Sequence, residues 1–352
     1  MEVKFLTSDY YDQWDSFVDE SPQGDIFCYS WWLEAITKSN YKILVIIEEN
    51  VIVAGIPLAL DNQNKINIPP VTRTSGVLYN HQENISARNR KSLERKWMKA
   101  LLDLIPPDDF VQMCFHQNFT DWLPFRWKGF RQTTRYTYLI DCKDHSPDDL
   151  WNNLDIETQR VIRRAKENGI TVETTDDFEL VYKYEELSYK RQGLSFRIPY
   201  NDLKSLDNAI KQREKRVIFK AASIDGSVHA TLYAAFNQRS AYALLSGGDP
   251  ELRKMGGHTL IMWEAIRYFS GKVNCFNMGG SDIERIEAHL KGFGGTLTPY
   301  FLIYNENLAE KPNDFRYHLK QVYFHFVEAL KILKNKLFLK LNARNISKRT
   351  QI

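Results

Sequence analysis

The chain has 352 residues (41.3 kDa), is 43% hydrophobic and 13% aromatic, and carries a net charge of +3. That length allows two domains, and the composition excludes a disordered or collagen-like chain. The longest mostly apolar run, residues 51–60, includes Pro57 and is too short to span a bilayer, and the first nine residues lack an apolar signal segment, so a cytoplasmic protein is expected.

In chain order, the pattern predicts a strand at 3–6, a helix at 9–20 and a second helix capped by Ser30. Residues 42–48 and 51–60 read as a hairpin turning at Glu49-Asn50. A basic helix at 87–104 stops at Pro106-Pro107, and strands follow at 110–116 and 135–140. Ser146-Pro147-Asp148-Asp149 combines a cap, a proline at the first helical position and acids in the first turn, so a domain boundary is placed just before it. Beyond it come a helix at 155–168 closed by Gly169, a strand at 170–175, and helices at 178–192 and 201–214. A second hairpin, 217–224 with 227–236, turns at Asp225-Gly226.

The two hairpins follow the same order of elements at an offset of 176 residues, which suggests an internal duplication. A long helix at 313–341 with one apolar stripe returns to the first domain in this reading. Residues 331–352 hold seven cations and no acid, leaving the remainder net negative. This tail is expected to touch anionic lipid or RNA, or to be a solvated terminus.

The most informative stretch is 242–300. Gly247-Gly248, Gly256-Gly257 and Gly279-Gly280 fall at strand ends or helix starts, and Lys291 precedes Gly292-Phe293-Gly294-Gly295. Glycines at such junctions let main chain approach a ligand, and a helix start offers unpaired N–H groups to phosphates. Ser246, Gly247, Arg253, Gly256, Gly257 and His258 are therefore the donor-binding candidates. Arg160 and Arg164, four apart on one helix, form a candidate clamp for an anionic acceptor, with Tyr189 beside them; a solvated basic face is the other reading. Asp282 is a candidate base or simply an N-cap; His258, His289 and Tyr189 are weaker base candidates, and His229 reads as a core histidine. The four cysteines are far apart and read as reduced thiols, and His318 and His325 sit two turns apart, so no metal is expected.

The run Trp151…Gln159-Arg160-Val161-Ile162-Arg163-Arg164-Ala165-Lys166…Gly169, the hairpin with Ala230, Gly247-Gly248-Asp249-Pro250, Asn277-Met278-Gly279-Gly280 and His289-Leu290-Lys291-Gly292-Phe293-Gly294-Gly295 together resemble the Fem-type (peptidoglycan bridge) aminoacyltransferases and related GNAT-like acetyltransferases of cell-envelope gene clusters. The resemblance is clearest over 146–303. It implies an α/β (α+β) architecture of tandem GNAT-like domains, each a mixed, mostly antiparallel sheet flanked by helices, with a long C-terminal helix. The expected division is 1–145, 146–308 with the transfer site, and 309–352. The resemblance also implies that Lys291 is the transfer lysine, although Leu290 stands where an aromatic is usual. Arg253-Lys254-Met255-Gly256-Gly257-His258 keeps the Arg and first Gly of the acyl-CoA loop but ends in His258. The helical arm thought to help hold tRNA is missing.

The resulting expectation is an N-acyltransferase acting on a cell-envelope glycan precursor, a nucleotide amino sugar or a lipid-linked muropeptide, with acyl-CoA or aminoacyl-tRNA as donor. Contact with the inner face of the membrane would come through the basic tail. An acetyl-CoA-dependent N-acetyltransferase of a small amine and a degenerate GNAT-like binding module remain as alternatives.

Overall fold

In the computed structural model, which describes residues 1–80, 85–281 and 283–305, local sequence signals set several helix starts. The long helix, the basic tail, His318, His325 and Asp282 lie outside the described residues. The first part runs β1 (Glu2–Phe5), α1 (Tyr11–Glu20), α2 (Ser30–Thr37), β2 (Tyr41–Glu48), β3 (Val51–Ala59), β4 (Leu78–Tyr79), α3 (Ala87–Asp103), β5 (Gln112–Cys114), α4 (Leu123–Trp127) and β6 (Arg131–Asp141). There follow α5 (Pro147–Asn152), α6 (Ile156–Glu167), β7 (Thr171–Thr175), α7 (Phe178–Arg191), α8 (Tyr200–Lys211), β8 (Arg216–Ala222), β9 (Val228–Phe236), β10 (Ser240–Gly248), α9 (Gly257–Phe269), β11 (Cys275–Asn277), α10 (Glu284–Lys291) and β12 (Thr296–Tyr304).

Side-chain caps start α5, α6 and α7: Ser146, Asp155 and Asp177 accept from the N–H of Asp149, Thr158 and Leu180. At Ser146 the capping box is complete, since the Asp149 carboxylate also accepts from the Ser146 N–H at 2.9 Å. Glu49 and Asn50 both have positive φ, as a tight hairpin turn with right-handed strand twist requires.

The strands form two sheets, β1-β2-β3-β4, wholly antiparallel, and β5-β12-β6-β11-β10-β9-β8-β7, in which β10 and β11 run parallel. The β2–β3 and β8–β9 hairpins each carry a register shift near the turn, at Ile46/Ile47 and Ala221/Ala222. Two similar helix–helix–hairpin units thus follow one another, the tandem GNAT-like arrangement. Residues 1–305 make one compact unit, and the start of α5 at Ser146 is not a break in the sheet. β6 precedes it yet lies mid-sheet, with Cys275 opposite Asp141 and Thr296 opposite Leu139.

Three buried clusters fill the layers. One joins Trp14, Phe27 and Trp32 of the first unit to Phe178, Leu203 and Tyr242 of the second. A polar knot lies within it. Asp25, 1% exposed, accepts from Thr74 Oγ1 at 2.7 Å, the Ile26 N–H at 2.7 Å and the Tyr242 hydroxyl. Burial lifts this carboxyl to about 6 even though all three donors favour its ionised form. Beside the knot, Arg239 donates to the carbonyls of Asp19 and Ser21. Tyr242→Phe removes one donor from a buried carboxylate and is expected to cost roughly 1–3 kcal/mol. Urea denaturation at pH 7.5 checks this; an unchanged midpoint would mean that the bond contributes nothing net.

Candidate functional site

The site begins where two parallel strands part. β10 and β11 pair over three residues, Ser240–Tyr242 with Cys275–Asn277. β11 then gives way to Met278, Gly279 and Gly280, while β10 continues against β9 to Gly248, with a bulge between Ala243 and Leu245. The wedge between them opens into a cavity of about 520 Å³. Ala243, Leu244 and Ser246 line one side and Met278, Gly279 and Gly280 the other. Gly280 has no room for a side chain, because a Cβ there would lie 1.8 Å from the Tyr136 carbonyl oxygen.

The N-terminus of α9 points into this wedge. Its N-cap is Gly256, at φ 84°, and no side chain caps it. The first-turn N–H groups of Gly257, His258 and Thr259 therefore have no partner within the helix and border the cavity. They sit among six cationic side chains of the wall, Arg73, Arg164, Arg191, Arg253, Lys254 and Arg285, against two carboxylates, Glu185 and Asp249. Burial first, then Arg253 and Arg285, depresses the Arg191 pKa, so these guanidinium groups lie close enough to feel one another's like charge. No ion pair among the described residues neutralises Arg191, Arg253 or Arg285. A helix start ringed by arginines has the geometry and charge that suit an anion.

The structure sorts the residues singled out from sequence. Ser246, Arg253, Gly256, Gly257, His258 and Arg164 all border the cavity. Arg160 does not: its side chain is 73% exposed and pairs with Glu157 one turn away, so the expected Arg160–Arg164 clamp is not assembled. Tyr189 packs on Phe196 outside the wall. Gly247 faces away from the cavity and onto α7, where a Cβ would sit 2.3 Å from the Tyr184 carbonyl. Lys291 is exposed at the end of α10 and outside the wall, although its neighbours His289 and Leu290 border the cavity. Among the described residues no group of His, Cys, Asp or Glu is arranged to hold a metal ion, and no helix is long and apolar enough to cross a membrane.

Burial lowers the pKa of each imidazole of the wall. His258 Nε2 lies 3.0 Å from Ser246 Oγ, and burial, then His289, Arg253 and Arg191, push its pKa down to about 3. The His289 ring centroid is 5.6 Å away, its pKa is lowered by burial and Arg253, and its buried Nε2 has no partner. His229 is buried as expected of a core histidine, with Nε2 3.0 Å from Ser223 Oγ, but it also borders the cavity and its Nδ1 has no partner.

Arg73 and Glu185 are among the wall residues that had no sequence signal. Arg73, in the connection between β3 and β4, reaches from the first unit and donates to the Leu244 carbonyl at the β10 bulge at 3.3 Å. Glu185, on the face of α7 that meets β10, is 8% exposed; the Ser246 N–H donates to its carboxylate and Oε2 has no partner.

Residues 157–285 match the family described as acetyltransferase (GNAT) domain. FemX, in its crystal structure, is 14% identical with a TM-score of 0.63, covering 88% of this chain and 98% of its own. A conserved protein of unknown function from Bacteroides thetaiotaomicron is 10% identical with a TM-score of 0.50, covering 86% and 100%. A tandem GNAT protein from the clavulanic acid biosynthesis pathway is 13% identical at 0.49, covering 86% and 98%. Among curated proteins none matches. At these identities the likeness is one of fold. The family matched over residues 157–285 is one of acetyltransferase domains.

Burial raises the Glu185 carboxyl from 4.5 to about 7, overriding Arg73 and the Ser246 N–H, which both act to lower it. The folded state thus holds this proton more tightly than the unfolded chain, so the stabilisation is complete below pH 4.5 and is lost as pH rises through about 7. Glu185→Gln is therefore expected to gain on the wild type between pH 5 and pH 8, by on the order of 3 kcal/mol at most. Urea denaturation of both proteins at the two pH values measures the gap, and a gap independent of pH would contradict the buried carboxyl.

Proposed function

We propose that the protein is an N-acyltransferase that takes an acyl group from acyl-CoA and delivers it to an amine on a phosphate-bearing cell-envelope glycan precursor. The observation that carries this reading is the parting of β10 from β11 beneath the bare, arginine-ringed N-terminus of α9. A donor threaded into the wedge meets main-chain N–H groups of α9 at its phosphates, with Arg253, Arg164 and Lys254 beside them. Its acyl carbonyl lies beside β10 at the bulge, where β11 has ended; further along the strand, the Ser246 and Gly248 N–H groups are taken by Glu185 and Ser188 of α7. His258 is held by Ser246 and, being neutral, adds no charge to the donor loop.

Acyl-CoA is favoured over aminoacyl-tRNA because α7 and α8 are only 14 and 12 residues long and form no extended helical arm. The cell-envelope acceptor rests on the resemblance to the Fem-type enzymes. The surplus of arginines over what one pyrophosphate needs supports an acceptor that carries phosphate as well.

Calorimetric titration with CoA tests the donor. Wild type is expected to bind, and Arg253→Ala to bind at least tenfold more weakly, since a charge-assisted contact contributes about 1.5–3 kcal/mol. No heat with millimolar CoA, together with binding of aminoacyl-tRNA, would reassign the donor. Binding of neither would remove the acyltransferase reading.

A further inference from the structure

We infer that Glu185 is the general base of the transfer, taking the proton of the acceptor's ammonium group at the point where β10 carries the acyl carbonyl. This rests on the acyltransferase reading above and names the residue that makes the acceptor nucleophilic.

The geometry comes from three elements. α7 packs directly on β10, and Gly247 permits it: a Cβ at that position would lie 2.3 Å from the Tyr184 carbonyl and 2.6 Å from the Glu185 N–H nitrogen. The Gly248 N–H donates to Ser188 Oγ at 3.1 Å one turn further along α7, which fixes the register of helix on strand. Glu185 is thereby placed against the Ser246 N–H, beside the bulge of β10. Its carboxylate is more than nine-tenths buried, borders the cavity, and keeps Oε2 without a partner. The Glu185 side chain thus stands in the cavity wall with one carboxylate oxygen shut off from solvent and bonded to nothing, which is costly for a charged group.

The surroundings restrict what that is. The charged group facing Glu185 from the first unit is Arg73, which is itself turned toward the Leu244 carbonyl; β10 presents its main chain, and Ser246 separates Glu185 from the neutral His258. Elsewhere the wall is cationic, with Asp249 as the other acid. A ligand amine therefore finds its counter-charge at Glu185, while its phosphates go to the arginines. An acceptor with an ammonium at one end and phosphate at the other fits this polarity, as an amino sugar phosphate or nucleotide amino sugar does.

The transfer balances as follows. Glu185 takes one proton from R–NH3+, and the freed lone pair attacks the thioester carbonyl. The C–N bond forms and the C–S bond breaks, the second nitrogen proton passes to the leaving sulfur, and Glu185 later returns its proton to solvent. Burial poises the group for this work, since a carboxyl titrating at about 7 is a far better base than an ordinary one and still ionises at neutral pH.

The test uses the full chain with 13C-labelled glutamate carboxyls, Glu185→Gln identifying the resonance. A titration midpoint near 7 is expected, moving down by about one unit when glucosamine 1-phosphate binds, because an ammonium favours the carboxylate. A midpoint below 5, or one that the amine leaves unmoved, overturns the proposal. With acetyl-CoA and the same amine, followed by thiol release, Glu185→Gln is expected to lower kcat at least a hundredfold and abolish the acidic limb of the pH profile, with KM for acetyl-CoA unchanged. Wild-type kcat in that variant would equally overturn it. Should the wild type release no thiol with this pair, the donor and acceptor reading fails on its own, and the resonance still decides the role of Glu185.

Discussion

Everything about the site follows from the parting of two strands. Parallel neighbours hold together only while their ladder of hydrogen bonds continues, and here it stops after Tyr242 opposite Asn277. Past that point β10 has an open edge inside the protein, a polar surface that burial would make costly if nothing used it. The bulge at Ala243/Leu245 bends the strand at the same place. One carbonyl of the exposed edge, that of Leu244, is met by Arg73. Two of its N–H groups, those of Ser246 and Gly248, are met by Glu185 and Ser188 of α7.

The first unit is more than a companion to the second. It supplies Arg73 to the wedge, and it grips β10 from behind through Asp25 and Tyr242. Phe27 packs edge-on against the Tyr242 ring at 4.7 Å, so the polar knot sits in an apolar jacket that excludes water and strengthens it. The strand that carries the site is therefore held on one face by the first unit's buried carboxylate and by α7, whose Phe178 and Val181 share a cluster with Tyr242, and on the other by α9. A small change in how the units meet would move Arg73 and the bulge together.

How much of this the sequence carried depended on whether a residue's role was local. The glycines were legible, because Gly256 at a helix start and Gly280 against a carbonyl do what glycine alone can do. So was the cap at Ser146, which acts on the N–H three residues on. Arg160 and Arg164 were rightly put on one helix, but spacing cannot say which of them a neighbouring loop will approach; Arg164 meets Lys254 and Arg160 meets Glu157. Gly247 was read as opening room for a ligand, and it opens room for α7 instead. The mid-sheet place of β6 was out of reach for the same reason, since its partners β11 and β12 lie more than a hundred residues away.

Glu185 was invisible for a deeper cause. In sequence it is one of two adjacent acids in a polar helix, a pattern that reads as solvated surface, and Glu186 is indeed exposed. The two differ by a single position on α7, and that position decides whether the carboxylate looks at water or at β10. Six cations stand in the wall of the same cavity and by charge alone would lower the pKa of such an acid; it is raised instead, because most are exposed arms whose fields water screens, whereas the removal of Glu185 from water acts on its charge directly. Desolvation wins over the charge pattern. The charge pattern is the part a sequence displays, and desolvation is made by the packing of a helix on a glycine in a strand sixty-two residues further on.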